Sequence, residues 1–123
     1  MSETSKSILI VDDTPENITA LTSIISKFGK IKAATSGMKA LKICSGGIKP
    51  DLIFLDVTMP EMDGWEVFSR LRQDNTTAAI PVIFVTALTG DSDREKAMSM
   101  GAAGYITKPL DAELICSLVK RFI

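Results

Sequence analysis

The chain encodes a doubly wound α/β sandwich, a parallel sheet with helices on both faces. Ile8-Leu9-Ile10-Val11, Leu52-Ile53-Phe54-Leu55 and Val82-Ile83-Phe84-Val85 are continuous aliphatic runs bounded by turn signals, the pattern of strands buried on both faces. Helical patterns with recognisable starts and stops alternate with these runs. The length of 123 residues, with 46% hydrophobic and 24% charged, fits one globular domain with a proper core.

Residues 1–6 are expected to form a loose tail and residues 7–123 the folded domain. After the first strand, Thr14 is placed to cap a helix with Pro15 at its first position. Ile18, Leu21, Ile24, Ile25 and Phe28 line one face of that helix, and Gly29 ends it. Lys30 to Ala34 reads as a short strand whose lysines suit an exposed sheet edge, followed by a helix from about Ser36 to the Gly46-Gly47 stop. Asp51 precedes the central strand, and Met59 to Gly64 is a loop bracketed by proline and glycine. Asp63 with Glu66 forms a capping-box pattern for a helix from Gly64 to about Gln73, with Val67, Phe68 and Leu71 on its buried face. Pro81 opens the next strand, where a missing donor is tolerated. A helix from about Asp91 to Met100 stops at Gly101, and a short strand follows around Tyr105-Ile106. Leu114, Ile115, Leu118, Val119 and Phe122 then form the stripe of a last helix.

Right-handed crossovers leave few orders for five strands and five helices. The flavodoxin-like order 2-1-3-4-5 sets the first and third strands side by side at the switch point, where open sheets carry their sites beyond the strands' carboxyl ends. The three apolar runs empty there into Asp12-Asp13, Asp56 and Thr86.

Composition removes several chemistries. The chain has no histidine, so imidazole bases, histidine triads and nearly all catalytic zinc arrangements are excluded. Cys44 and Cys116 lack CxxC spacing and sit among helical apolar positions, so they read as buried thiols. A net charge of -1 and a pI near 5.4 give no footprint for direct nucleic-acid binding, and no polybasic segment marks a membrane surface. The apolar runs are too short to span a bilayer, and residues 1–7 have no signal-peptide core, so the chain is expected to be cytoplasmic.

Two ionised carboxylates about 4 Å apart repel by roughly 4 kcal/mol at an effective dielectric near 20, so three together call for a cationic partner. All-oxygen ligation favours Mg²⁺ or Mn²⁺ over softer metals. An oxygen-only acidic cleft suits phosphoryl transfer, whose loose transition state needs positioning and charge neutralisation more than a proton shuttle. Asp56, single and central, is the candidate nucleophile that would give an acyl phosphate, with Thr86 and Lys108 placed to hold phosphoryl oxygens. Singly, each of these residues has a plainer reading: the acids as helix caps, Thr86 as a strand end, Lys108 as a solvated charge. Their coincidence at one sheet edge favours the cleft.

The same residues carry a family resemblance. Asp12-Asp13 after the first strand, Asp56 followed by Met59-Pro60 and Asp63-Gly64, Thr86-Ala87, and Lys108-Pro109 after Gly101-Ala102 and Tyr105 make the chain similar to receiver domains of bacterial two-component response regulators, in order and along its whole length. The resemblance implies a cytoplasmic phosphoprotein of a two-component phosphorelay. In it Asp56 accepts a phosphoryl group from a sensor histidine kinase, a phosphotransfer protein or a small donor such as acetyl phosphate. It implies that Asp13, Asp56 and the Thr58 carbonyl bind Mg²⁺, that Asp12 contributes through water, and that Lys108-Pro109 is cis. It also implies a switch in which Thr86 moves toward the phosphoryl group and Tyr105 packs inward. That rearrangement changes the face of the fourth helix, fifth strand and fifth helix, expected to contact an output domain or a second copy. Read without the resemblance, Tyr105 is ordinary packing. Leu88, two residues past Thr86, is expected to hinder an attacking water and prolong the phosphorylated state.

Three rival readings share parts of this pattern. A dehalogenase-like aspartyl phosphatase places its acids as Asp-x-Asp after one strand, whereas Asp56-Val57-Thr58 lacks the second acid. A flavin mononucleotide carrier needs a hydroxyl-rich phosphate loop where Asp12-Asp13 stand. A receiver that only docks is disfavoured by the intact set of acids with Thr86 and Lys108. The resemblance implies a domain that catalyses its own phosphorylation and dephosphorylation and is not expected to turn over an external substrate.

Overall fold

The computed structural model describes residues 6–123, so the expected loose tail lies outside the described residues except for Lys6. Five strands, β1 (Ser7–Val11), β2 (Lys30–Ala34), β3 (Leu52–Leu55), β4 (Val82–Thr86) and β5 (Gly104–Thr107), form one parallel sheet in the order β2-β1-β3-β4-β5. Five helices connect and follow them: α1 (Pro15–Ile25), α2 (Gly37–Cys44), α3 (Gly64–Gln73), α4 (Asp91–Ser99) and α5 (Ala112–Phe122).

Alternation along each strand divides the core in two. Ile8, Ile10, Leu52, Phe54, Ile83, Val85 and Ile106 face Leu21 and Ile25 of α1 and Ile115 and Val119 of α5. Leu9, Val11, Ile53, Leu55, Val82, Phe84 and Tyr105 face α2, α3 and α4. Every residue of β3 and β4 is buried, as helices on both faces require. The expected edge strand β2 is at the edge, with Lys30 and Lys32 exposed.

Local chemistry adjusts several expected boundaries. α1 stops at Ile25, and a short 3-10 turn over Ser26–Phe28 carries the chain to Gly29. Gly29 is extended (φ 165); what demands a glycine there is the Lys6 carbonyl, against which a Cβ would collide. Thr14 stands at the N-cap of α1 without a side-chain cap bond, because its backbone carbonyl already accepts the Asn17 N–H at 3.0 Å. Asp63 caps α3 by accepting the Glu66 N–H at 3.0 Å, but the Glu66 carboxylate turns to Arg70 at 2.6 Å, so half of the capping box forms. Leu114 is 46% exposed, a correction to the expected stripe of α5, whose buried positions are Ile115 and Val119. Its N–H still contributes, donating to the capping carboxylate of Asp111 at 3.2 Å. Cys44 is buried and its thiol is pushed up to about 11 by burial, whereas Cys116 is half-buried.

α4 is attached unlike the other helices. Only Ala97 is buried in it, and two of its cations rest on aromatic rings: Lys96 lies 4.4 Å from the Trp65 ring centre and Arg94 5.2 Å from that of Tyr105. Phe84 lies between those rings, 4.9 Å from Trp65 and 6.4 Å from Tyr105.

Candidate phosphoacceptor site

Register brings the site together. Pairing of Val11 with Leu55 puts the next residues, Asp12 and Asp56, side by side, and the Asp56 N–H donates to the Val11 carbonyl at 3.0 Å. Pairing of Leu55 with Phe84 leaves Thr86 one residue further out than Asp56. On the other side, Thr86 pairs with Thr107, and the Lys108 N–H donates to the Thr86 carbonyl at 2.8 Å. Lys108 therefore leaves the sheet beside the acids, and its peptide bond to Pro109 is cis, as the family resemblance implies.

The Lys108 ammonium bridges two carboxylates, 3.1 Å from Asp12 Oδ2 and 3.4 Å from Asp56 Oδ2. Their remaining oxygens are held by backbone: Asp12 Oδ1 accepts the Thr14 N–H at 2.9 Å and Asp56 Oδ1 the Thr58 N–H at 3.3 Å. Asp12 and Asp56 are buried, and Asp13 is exposed at the rim. Burial raises the Asp56 carboxyl above its ordinary value; the Lys108 charge opposes this and the Asp12 charge adds to it.

A dication fits this donor set. One oxygen each from Asp12, Asp13 and Asp56 lie within 4.8 Å of one another, and hard oxygens in a net negative cleft suit a hard cation. Thr58 is exposed next to the cluster, with its N–H turned to Asp56. A cavity of about 150 Å³ lined by Asp12, Asp56, Lys108, Phe54 and Val85 continues from the acids toward α1.

The two expected switch residues meet in the β4–α4 loop. The fully buried Thr86 hydroxyl accepts the Leu88 N–H at 3.3 Å, and the Tyr105 hydroxyl donates to the Leu88 carbonyl at 2.8 Å. Tyr105 is thus packed inward, and Leu88 is half-buried between the two hydroxyls. Nothing in the sequence marked Arg94, whose Nη1 donates to the Tyr105 carbonyl at 3.1 Å. Its position on an exposed, highly charged helix is indistinguishable in sequence from a solvated arginine.

Known proteins resemble this chain in sequence and fold. The family model for the response regulator receiver domain matches residues 8–120. A probable cyclic di-GMP phosphodiesterase of Vibrio cholerae is 40% identical over 112 residues, covering 91% of this chain and 25% of that protein. Protein PilH of Pseudomonas aeruginosa is 34% identical over 94% of this chain and 96% of its own. A solved signal receiver domain of a signal transduction histidine kinase from Syntrophus aciditrophicus superposes with a TM-score of 0.84 at 35% identity, over 96% of this chain and 89% of that one. The chain spans about a quarter of the length of the first curated relatives it matches. Among the described residues no helix is long and apolar enough to cross a membrane. With most of its length matched by the family model and its cleft built at the ends of β1, β3, β4 and β5, the chain belongs to the response regulator receiver domains.

Proposed function

We propose that Asp56 is the phosphoacceptor of a Mg²⁺-dependent signalling switch, fed by a sensor histidine kinase, a phosphotransfer protein or a small donor such as acetyl phosphate. The observation that carries the reading is the convergence of Asp56, Asp12, Asp13 and Lys108 from separate strands into one cleft. Asp56 attacks phosphorus through a carboxylate oxygen; an O–P bond forms as the donor's bond to phosphorus breaks, and the leaving group keeps that electron pair. Asp12, Asp13 and Asp56, with the Thr58 carbonyl, are the residues assigned to the cation, Asp12 through water. When bound, the cation neutralises charge on the acceptor and on the transferring group.

Lys108 already bridges two carboxylates, so it can transfer its ion pair to a phosphoryl oxygen without leaving the cleft. Thr86 would exchange the Leu88 N–H for a second phosphoryl oxygen. Because Tyr105 holds the Leu88 carbonyl, that exchange is felt in the β4–α4 loop and on the α4-β5-α5 face, where an output domain or a second copy would read it. Leu88 supplies apolar bulk beside the site and slows hydrolysis, so Leu88→Glu should shorten the lifetime of the phosphorylated form.

Intact-mass analysis with acetyl phosphate and Mg²⁺ tests the assignment. The natural chain should gain one phosphoryl group and Asp56→Asn none. Equal labelling of the two would move the acceptor elsewhere.

A further inference from the structure

Tyr105 is held at three points, and two of them come from one side chain that lies outside the acidic cleft. Its hydroxyl donates to the Leu88 carbonyl at 2.8 Å. From α4, the Arg94 guanidinium sits 5.2 Å from the ring centre, and its Nη1 donates to the Tyr105 backbone carbonyl at 3.1 Å. That carbonyl is available because β5 is an edge strand, paired with β4 alone. An outward swing of the ring would leave the cation without its aromatic face. α4 has little else to fix it, since Ala97 is its one buried residue. Arg94 therefore joins the placement of α4 to the rotamer of Tyr105.

We propose that Arg94 is a positioning residue that sets the inward population of Tyr105, and through it the affinity of the Asp56 site for a phosphoryl group. The affinity step rests on the phosphoacceptor reading above; the effect on Tyr105 does not. Lys96 supplies an internal contrast. It makes the same kind of contact from the same helix, but on Trp65, with no hydrogen bond to Tyr105. If Arg94 acted merely by fastening α4 to the body, loss of Lys96 would have the same consequence.

The chain has a single tyrosine, so ring labelling reports this side chain alone. The first measurement is the relaxation of the ¹³C-labelled tyrosine ring by a soluble gadolinium chelate, in the ligand-free domain. The hydrogen bond to the backbone carbonyl fixes where the guanidinium sits, and the cation–π contact it permits, about 1 kcal/mol, predicts that Arg94→Ala raises the outward-to-inward ratio about fivefold. Arg94→Lys, which keeps a cation for the ring and loses the planar fork, should fall between. Lys96→Ala should match the natural chain. The second measurement is the apparent affinity for beryllofluoride with Mg²⁺, followed by ¹⁹F NMR. Arg94→Ala should weaken it by less than about threefold, because the inward ring is the major form to begin with, and should change nothing further when Tyr105→Ala is already present.

Unchanged ring exposure in Arg94→Ala overturns the proposal, as does an equal effect of Lys96→Ala. An affinity loss that persists in the Tyr105→Ala background does so too, because the coupling would then bypass the ring. Failure of the natural domain to take beryllofluoride would defeat the phosphoacceptor reading and the affinity step together, while ring exposure still decides whether Arg94 positions Tyr105.

Discussion

Removing one charge from the acidic cleft should raise stability in the absence of metal and lower the benefit of adding it, and Asp13→Asn separates the two effects. The ligating oxygens of Asp12, Asp13 and Asp56 lie within 4.8 Å of one another, a distance at which two unit charges repel by about 0.9 kcal/mol in bulk water and about 3.5 kcal/mol at an effective dielectric of 20. Asp13 is exposed, so the lower figure governs, and because the Lys108 ammonium neutralises one of its two carboxylate neighbours the net relief is at most about 1 kcal/mol. The loss of an ion pair does not offset it, because Lys108 is bonded to Asp12 and Asp56. With Mg²⁺ the sign reverses. A cation at ten times its dissociation constant stabilises the folded state by about 1.4 kcal/mol, and a site short of one carboxylate loses much of that gain. Urea unfolding at pH 7, first in chelator and then in Mg²⁺, reads both. Asp13→Asn should have the higher midpoint in chelator and the smaller rise on adding Mg²⁺. A lower midpoint in chelator would show that the three acids do not strain the fold; an undiminished rise with Mg²⁺ would show that Asp13 is not a ligand.

Asp56→Asn should also stabilise the metal-free domain, with a characteristic pH dependence. The folded-state value of Asp56 lies above the ordinary 3.8, so between the two the native state binds more protons than the unfolded chain and loses stability as pH rises. The advantage of Asp56→Asn in thermal melts in chelator should thus be full above the folded-state value and vanish below about pH 3.8; a constant advantage across that window would contradict it. Gly64→Ala would press a Cβ onto the Asp56 carbonyl oxygen and the Val57 Cα, backbone atoms that cannot rotate away. The expected cost is about 1–3 kcal/mol in urea, together with slower labelling of Asp56, since the same backbone carries the acceptor. Alkylation followed by intact mass should show Cys116 reacting first at pH 8, while Cys44, buried and with its thiol pushed up to about 11, reacts as the domain opens in urea.

The strands and their acidic ends were legible because two-faced burial demands uninterrupted apolar residues, and the run then breaks where the chain meets solvent. Ile53 and Phe84 could hardly lie anywhere else. Helix ends were less legible, since they depend on which of several polar groups takes a given donor. Glu66 has Arg70 within reach and does not fold back to Asp63. Thr14 needs no hydroxyl cap once its carbonyl serves Asn17. Leu114 matches the helical period yet lies on the first turn of α5, where it is 46% exposed. In the cleft, Asp12, Asp56 and Lys108 could be named individually, but the ammonium bridge between chain positions 96 residues apart depends on strand register that no local pattern encodes. Arg94 was illegible for the same reason: its partners lie on an edge strand 11 residues further along.

The thin anchoring of α4 has a bearing on how this domain breathes. A helix secured by cations on rings, with one buried alanine, gives up little apolar contact when it lifts, so its amides should exchange with solvent well before those of β3 and β4. Local opening of that segment uncovers Trp65 and the outer edge of β5 while the rest of the sheet stays shut. Both contacts are short-range attractions between a cation and a ring face, well inside a Debye length of about 8 Å, so salt loosens them little and the rings set how often the flap is raised.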